Sequence, residues 1–533
     1  MTFFVAQVWE TGAWAFREPC AKSLFAQRLF VQRLLPGQII VKCLAYQGAV
    51  CGASGARKGC ELAQVNFSQI NLRALHNGVA RLVYVAGVCD YPGSLGAVKS
   101  VWAPLASRYS RRFLMQTSRL KVHGRAFAHI AAFHPEITAL RRELHAHPEL
   151  GFEEHYTASR VQQALQLCGV DEIHTGIGQT GVVGVIRGRS NTSGRMIGLR
   201  ADMDALPMTE HNDFAWKSTT SGRMHGCGHD GHTAMLVGAA RYLSETRQFD
   251  GTAVLIFQPG EEGYAGARAM IQDGLFDRFP VDSVYGMHNW PAMRPGTVGI
   301  NPGPMMAASD RVTIEITGKG GHGAHPYTTV DPVLVAAHII TAVQSIVSRN
   351  IKAMDNAVIS LCSMRAGDPA AMSVIPGSAT LVGTVRSFSP VVQALLEKRL
   401  SELCQAVAIG FGATAVVTYE RSYPATINSP AEAQFAGDVA QSLVGREQVV
   451  RDLEPSMGAE DFSFMLQVKP GAYMRLGQGE ENGVGSCFLH NSRYDFNDEV
   501  LPLGAALHAS LVEQGMPLAA AASSPAADTS SPA

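Results

Sequence analysis

The chain has 533 residues, 46% hydrophobic and 17% charged, with a formal net charge of −1 and a mean hydropathy of +0.05. Such a length exceeds what one hydrophobic core supports, so two or more domains are expected, and the near-zero charge argues against a nucleic-acid or anionic-membrane partner. No uninterrupted apolar run reaches the roughly 18 residues that span a bilayer, the start MTFFVAQVWETGAW lacks the order of a secretory signal, and the ten irregularly spaced cysteines form no disulfide framework.

A cytoplasmic protein with free thiols is therefore the expectation. Residues 1–125 make a first zone with no sustained helical or strand period. Within residues 1–120 there are 14 Lys plus Arg against 4 Asp plus Glu, from chain totals of 44 and 45. This basic extension reads as the product of an upstream, mis-assigned start, with Met115 as the natural internal one. A basic accessory or targeting segment is the alternative.

Regular α/β texture follows over 126–309. PEITALRRELHAHPEL has Pro135 at a helix start and is closed by Pro148. GVVGVIRG, RMIGLRAD, TAVLIFQP and SVYGMHNW are strand-like, and HTAMLVGAARYLSET is a helix between two of them. Strands alternating with helices predict a mainly parallel central sheet flanked by helices, with ligands bound beyond the carboxyl ends of its strands.

Residues 310–422 have their own order. DRVTIEITG is a strand, DPVLVAAHIITAVQSIVSR a helix, AVISLCSM and ATLVGTVRSF strands, PVVQALLEKRLSELCQAVAIGF a helix and ATAVVTYERS a strand. That β-α-β-β-α-β order is ferredoxin-like. The α/β texture resumes over 423–515, so the unit reads as an insertion. The Ala/Ser/Pro-rich stretch 516–533 reads as a disordered tail.

Five short motifs carry candidate chemistry. In MHGCGHDGHTA, Cys227 and His229 stand two apart in a Gly-rich turn, a thiolate and an imidazole suited to a borderline metal. Asp230 and His232 are candidates for orienting those ligands or capping the next helix. In QPGEEG, the adjacent carboxylates Glu261 and Glu262 leave the chain on different sides, so one can bind metal while the other moves the proton of a water. His288 in YGMHNWP and His490 in FLHNSRYDFND complete a set on one sheet edge. GKGGHGAHP offers His322 or His325 on a loop, and GTVRSF offers Arg386 as a planar fork for a carboxylate.

Taken in order, RRELHAHPELGFEE, GLRADMDALP, MHGCGHDGHTA, QPGEEG, GMHNWP, GKGGHGAHP, GTVRSF and LHNSRYDFND resemble the successive motifs of the M20 metallopeptidase family. The match is to its amidohydrolase branch of hippurate hydrolases, N-acyl-amino-acid amidohydrolases and auxin-conjugate hydrolases, and it covers about 127–515. The resemblance implies a catalytic domain in two parts with two divalent transition-metal ions, Mn or Zn with Co or Ni as alternatives. It also implies a lid domain through which subunits form a homodimer or homotetramer. Cys227, His229, Glu262, His288 and His490 match the metal ligands, Glu261 the general base, and His322 a lid histidine that stabilises an oxyanion, in relatives from a partner subunit. Asp204 matches a supporting aspartate, while Asp202 stands where other branches carry a metal-binding His and is left without that role. Ser373 replaces the Asn that many relatives have before Val-Ile-Pro. The expected reaction is hydrolysis of a small N-acyl amino acid to a carboxylic acid and a free amino acid. A cysteine hydrolase built on Cys227 and His229, and a catalytically silent binding protein, are the rivals.

Overall fold

The computed structural model describes residues 27–35, 38–45, 120–481 and 483–519. The chain divides into two compact units, Met1–Pro104 and Leu105–Ala533. In the first, the described residues form an antiparallel hairpin of β1 (Gln27–Leu35) and β2 (Gln38–Ala45), where no sustained strand period was expected. Met115, the expected internal start, lies outside the described residues.

The second unit holds an eight-stranded sheet. Its strands are β3 (Glu172–Ile177), β4 (Gly181–Arg187), β5 (Met196–Asp202), β6 (Thr252–Gln258), β7 (Ser283–Trp290) and β8 (Val298–Gly299). Far along the chain come β17 (Val449–Val450) and β18 (Gly471–Gly477), beyond the short strands β9 (Gly303–Met306) and β16 (Thr426–Asn428) and the strands of a second sheet. The spatial order is β17-β8-β18-β7-β5-β6-β4-β3. β18, β7, β5 and β6 are mutually parallel, as expected, while β4 and β3 are antiparallel additions at one edge. Both faces are covered, which is why TAVLIFQ in β6 is buried along its whole length rather than alternating. The helices His229–Thr246, His134–Ala146 and Leu501–Gly515 share the apolar cluster on one face, with Tyr285, Met287 and Met474 from the strands. Val284, Tyr473 and the short helix Ser463–Val468 belong to the cluster on the other.

A second, four-stranded sheet is built from β10 (Ala308–Thr317), β12 (Ala357–Ala366), β14 (Ser378–Ser387) and β15 (Thr414–Tyr423). The order β12-β14-β10-β15 is antiparallel throughout, the arrangement a β-α-β-β-α-β chain produces when its helices cover one face. β10 buries every second residue. The helix Pro332–Asn350 is long and apolar enough to cross a membrane by length and composition. Here its stripe Val335, Ile339, Val343 and Ile346 packs with Val312, Ile314 and Leu381. Asp331 caps it by accepting the Val333 N–H at 2.8 Å.

At the far end, Met516 was expected in a disordered tail. It is instead buried, and its carbonyl accepts the Asp250 N–H at 2.8 Å.

Candidate metal centre

Four chain segments converge at the carboxyl ends of β5, β6 and β7. The first leaves β5 at Asp202 and carries Asp204. A second runs into the helix His229–Thr246 through Cys227 and Gly228. Gly228 has φ 95°, and a Cβ there would stand 2.4 Å from both Asn289 Oδ1 and the Tyr494 hydroxyl, so only glycine closes this turn. The third is Pro259–Gly260 after β6, delivering Glu261 and Glu262. His490 lies on the fourth, a loop after β18, at φ 61°. Its backbone N–H donates to Gly226 O at 2.8 Å, tying that loop to the Cys227 turn. His288 sits inside β7, two residues before its end, rather than beyond the strand.

These segments bring six of the expected residues together. The donor atoms of Cys227, His229 and His288 lie within 4.8 Å of one another, as do those of Cys227, Glu262 and His490, and those of His229, Glu261 and Glu262. The first two groups share one atom, Cys227 Sγ, which is 3.3 Å from His288 Nε2. Asp204 Oδ1 faces His229 Nδ1 at 3.2 Å, and its other oxygen accepts the Glu262 N–H at 2.8 Å. His288 Nδ1 donates to Asn289 O at 2.7 Å, so Nε2 is the nitrogen left for a metal.

Orphaned atoms show that these groups fit an ion. His229 Nε2 is buried and has no hydrogen-bond partner among the described residues; Glu262 Oε1 makes no hydrogen bond either, although His490 Nε2 lies 3.1 Å away. Burial, then Glu262, Glu261 and Asp202, pushes the Cys227 thiol well up. Burial, then Glu460 and Glu262, raises the Glu261 carboxyl well above its usual range. Burial opposes the His229 charge, but Asp202 and Asp204 outweigh it and raise that imidazole to about 10. The common cause is an excess of anionic groups in a dry site, which divalent cations relieve. A raised thiol also speaks against a free Cys227 thiolate nucleophile.

Below the donors lies a layer the sequence reading missed. Arg200, fully buried in β5, donates to Asp202 at 2.7 Å, Glu460 at 2.8 Å, Asp461 at 3.1 Å and Gln258 at 2.8 Å. Asp202 in turn binds His232 Nδ1 at 2.5 Å, and His232 Nε2 meets Asn289. His232 thus orients the site, whereas Asp230 pairs with His145 at 2.8 Å. The Asp461 N–H points at Glu261 Oε1 from 3.3 Å and aims that carboxylate.

His322 and Arg386 stand apart from this cluster. His322, in β11 (Gly321–His322), pairs with Val374 of β13 (Val374–Ile375) and is exposed. It makes no hydrogen bond, ion pair or ring contact with the cluster residues. Arg386 is half-buried on β14 and donates to the Thr384 hydroxyl and to Val385 O.

Residues 198–514 match the model of peptidase family M20/M25/M40. The chain belongs to this family. Hippurate hydrolase of Campylobacter jejuni is 41% identical over 376 residues, 70% of this chain and 95% of that protein. An IAA-amino acid hydrolase of Arabidopsis thaliana is 37% identical over 380 residues, 70% of this chain and 84% of that protein. Among solved structures, a dinuclear metal-binding M20 peptidase from Bacillus subtilis matches with a TM-score of 0.63 and 33% identity, over 72% of this chain and 99% of that one. This M20 chain is accordingly a metal-binding hydrolase of amide bonds, resting on the mixed α/β fold described above.

Proposed function

We propose that this chain hydrolyses N-acyl amino acids, hippurate-like compounds among them, to a carboxylic acid and a free amino acid. The observation that carries the reading is the pair of three-donor groups sharing Cys227 Sγ, with the Glu261 carboxyl buried beside them. Cys227, His229 and His288 would hold one divalent ion and Cys227, Glu262 and His490 the other, Mn or Zn fitting this soft and borderline set, with Co and Ni as alternatives. When bound, the ions would supply Lewis acidity, polarising the scissile carbonyl and acidifying water.

The chain's own residues handle the protons. Glu261 takes the proton of the attacking water and returns it to the leaving amine nitrogen. It is buried, with its carboxylate within 4.8 Å of the His229 and Glu262 donors, which places it beside the reacting water. Asp204 and Asp461 fix Glu262 and Glu261 respectively. His322 would stabilise the developing oxyanion from a second copy, in a homodimer or homotetramer formed through the second sheet and its helices. The Ala324 N–H donates to His322 Nδ1 at 3.1 Å, which leaves the proton on Nε2, the form that donates to an anion.

The test is metal analysis together with a hydrolysis screen of benzoyl-, acetyl-, succinyl- and indoleacetyl-amino acids. Activity lost to chelator and restored by Mn, Zn or Co supports the proposal. A metal-replete protein inactive across the whole panel contradicts it.

A further inference from the structure

The turn that carries Glu261 and Glu262 starts as a helix and does not continue as one. Glu262 has ψ 70°, Gly263 has φ 91° and Ala265 has φ 57°. In a regular helix the Ala265 N–H would donate to Glu261 O, four residues back. Here the Tyr423 hydroxyl comes between them: it accepts the Ala265 N–H at 3.0 Å and donates to Glu261 O at 2.6 Å. A side chain inserted into the helical ladder breaks a helix, and a left-handed alanine persists only where its surroundings hold it.

Tyr423 is itself held firmly. It is the last residue of β15, paired with Ser309 of β10 in the second sheet, and is only 6% exposed. Its ring meets Phe464 edge-on, with centroids 6.0 Å apart. Other contacts on the turn come from residues outside the second sheet. Glu154 accepts the Gly260 N–H at 2.7 Å, Asp204 the Glu262 N–H at 2.8 Å and Asp461 the Ala267 N–H at 2.9 Å. Ionised carboxylates can only accept, so the Glu261 carbonyl needs a donor of another kind. The tyrosine hydroxyl supplies it and takes the Ala265 N–H in exchange.

We propose that Tyr423 is a positioning residue whose hydroxyl wedges open the turn bearing Glu261 and Glu262, so that the base and the neighbouring metal ligand point apart. Glu261 Oε1 takes the Asp461 N–H at 3.3 Å, while Glu262 Oε1 lies 3.1 Å from His490 Nε2. Those two directions depend on the break between the residues, and the wedge also ties the second sheet to the base. The consequence for catalysis rests on the hydrolase reading above; the wedge itself does not.

The test uses full-length protein with Tyr423 replaced by Phe, which lacks the hydroxyl, or by para-aminophenylalanine, which keeps a group that donates and accepts. In crystals, Tyr423→Phe should bring Ala265 N into direct contact with Glu261 O and move Glu262 toward helical dihedrals, while the amine keeps the turn open. With metal loaded equally, Tyr423→Phe should lower kcat on benzoylglycine roughly ten- to a hundredfold. KM should stay nearly unchanged, a split that general loosening of the fold does not produce, and the amine should recover most of the loss. Should the cavity left by Phe unfold the protein, para-fluorophenylalanine carries the same comparison, since it fills the space without a proton to donate. An unchanged turn in the crystal overturns the proposal, as does wild-type kcat, a loss carried by KM, or a loss that the amine does not recover. Should wild type hydrolyse none of the N-acyl panel, the hydrolase reading has failed and the crystals alone decide the wedge. A turn that changes without the hydroxyl supports it; an unchanged one overturns it.

Discussion

Asp204 and His229 share the contact that decides which imidazole nitrogen is left for a metal: Asp204 Oδ1 holds Nδ1 at 3.2 Å, and Nε2 is left buried without a hydrogen bond among the described residues. The second oxygen of the same carboxylate accepts the Glu262 N–H. One side chain therefore orients two candidate ligands, one for each proposed ion. Asp204→Asn should weaken metal affinity by roughly 10–100-fold with the fold intact. Competition against a chromophoric chelator measures this, and unchanged affinity would remove Asp204 from the orienting role.

Cys227 Sγ belongs to both three-donor groups, whereas His490 belongs to one. Cys227→Ala should accordingly reduce occupancy of both ions, and His490→Ala chiefly that of one. Metal content after dialysis distinguishes the two variants. A Cys227→Ala protein that keeps two ions at wild-type affinity would show that the thiolate is not shared.

Arg200 is the cation of a fully buried cluster with Asp202, Glu460 and Asp461. Burial disfavours its charge, and the three carboxylates more than restore it. Removing one partner of a buried set strands the others, so Arg200→Met should cost about 3–5 kcal/mol of stability. Urea unfolding at matched metal loading reads the loss. A change below about 1 kcal/mol would mean that the carboxylates find other partners.

His145 lies in a separate buried group with Asp230 at 2.8 Å and Glu210 at 3.3 Å. Burial opposes its charge, but Asp230 and Glu210 outweigh it and raise the imidazole to about 9. A raised folded-state pKa gives stability that is complete below the unfolded value near 6.5 and is lost as pH rises through about 9. The stability gap between wild type and His145→Gln should therefore shrink between pH 6.5 and 9.5, with metal loading held fixed. A gap that grows with pH would mean the histidine is buried neutral.

Much of this was legible in the chain itself. Glu261 and Glu262 stood out because Pro-Gly breaks an apolar run just before them, and turn chemistry after a buried strand marks a loop beyond the sheet. The second sheet was legible for a similar reason, since β10 alternates strictly and its helices carry clean apolar stripes. Direction and distance were harder. GVVGVIR reads as a strand whichever way it runs; positive φ at Gly178 and Gln179 forms the tight connection that makes β3 and β4 an antiparallel hairpin. The Arg200 cluster joins residues up to 261 positions apart, a contact that no local period encodes. Its one local trace was a charged pair, Arg200 and Asp202, inside an otherwise apolar strand, where charges persist only if they are paired. His322 and Arg386 were placed by motif, and their separation from the cluster follows from their position on the second sheet and its loop.

The central claim is that Glu261 moves the proton while the other five residues hold metal. Glu261→Gln keeps the size and hydrogen-bonding reach of the side chain and removes its basicity. Measured on one preparation, metal content should stay near that of wild type while kcat on benzoylglycine falls by about 10²–10⁴-fold. Near-normal turnover with both ions bound would contradict the account.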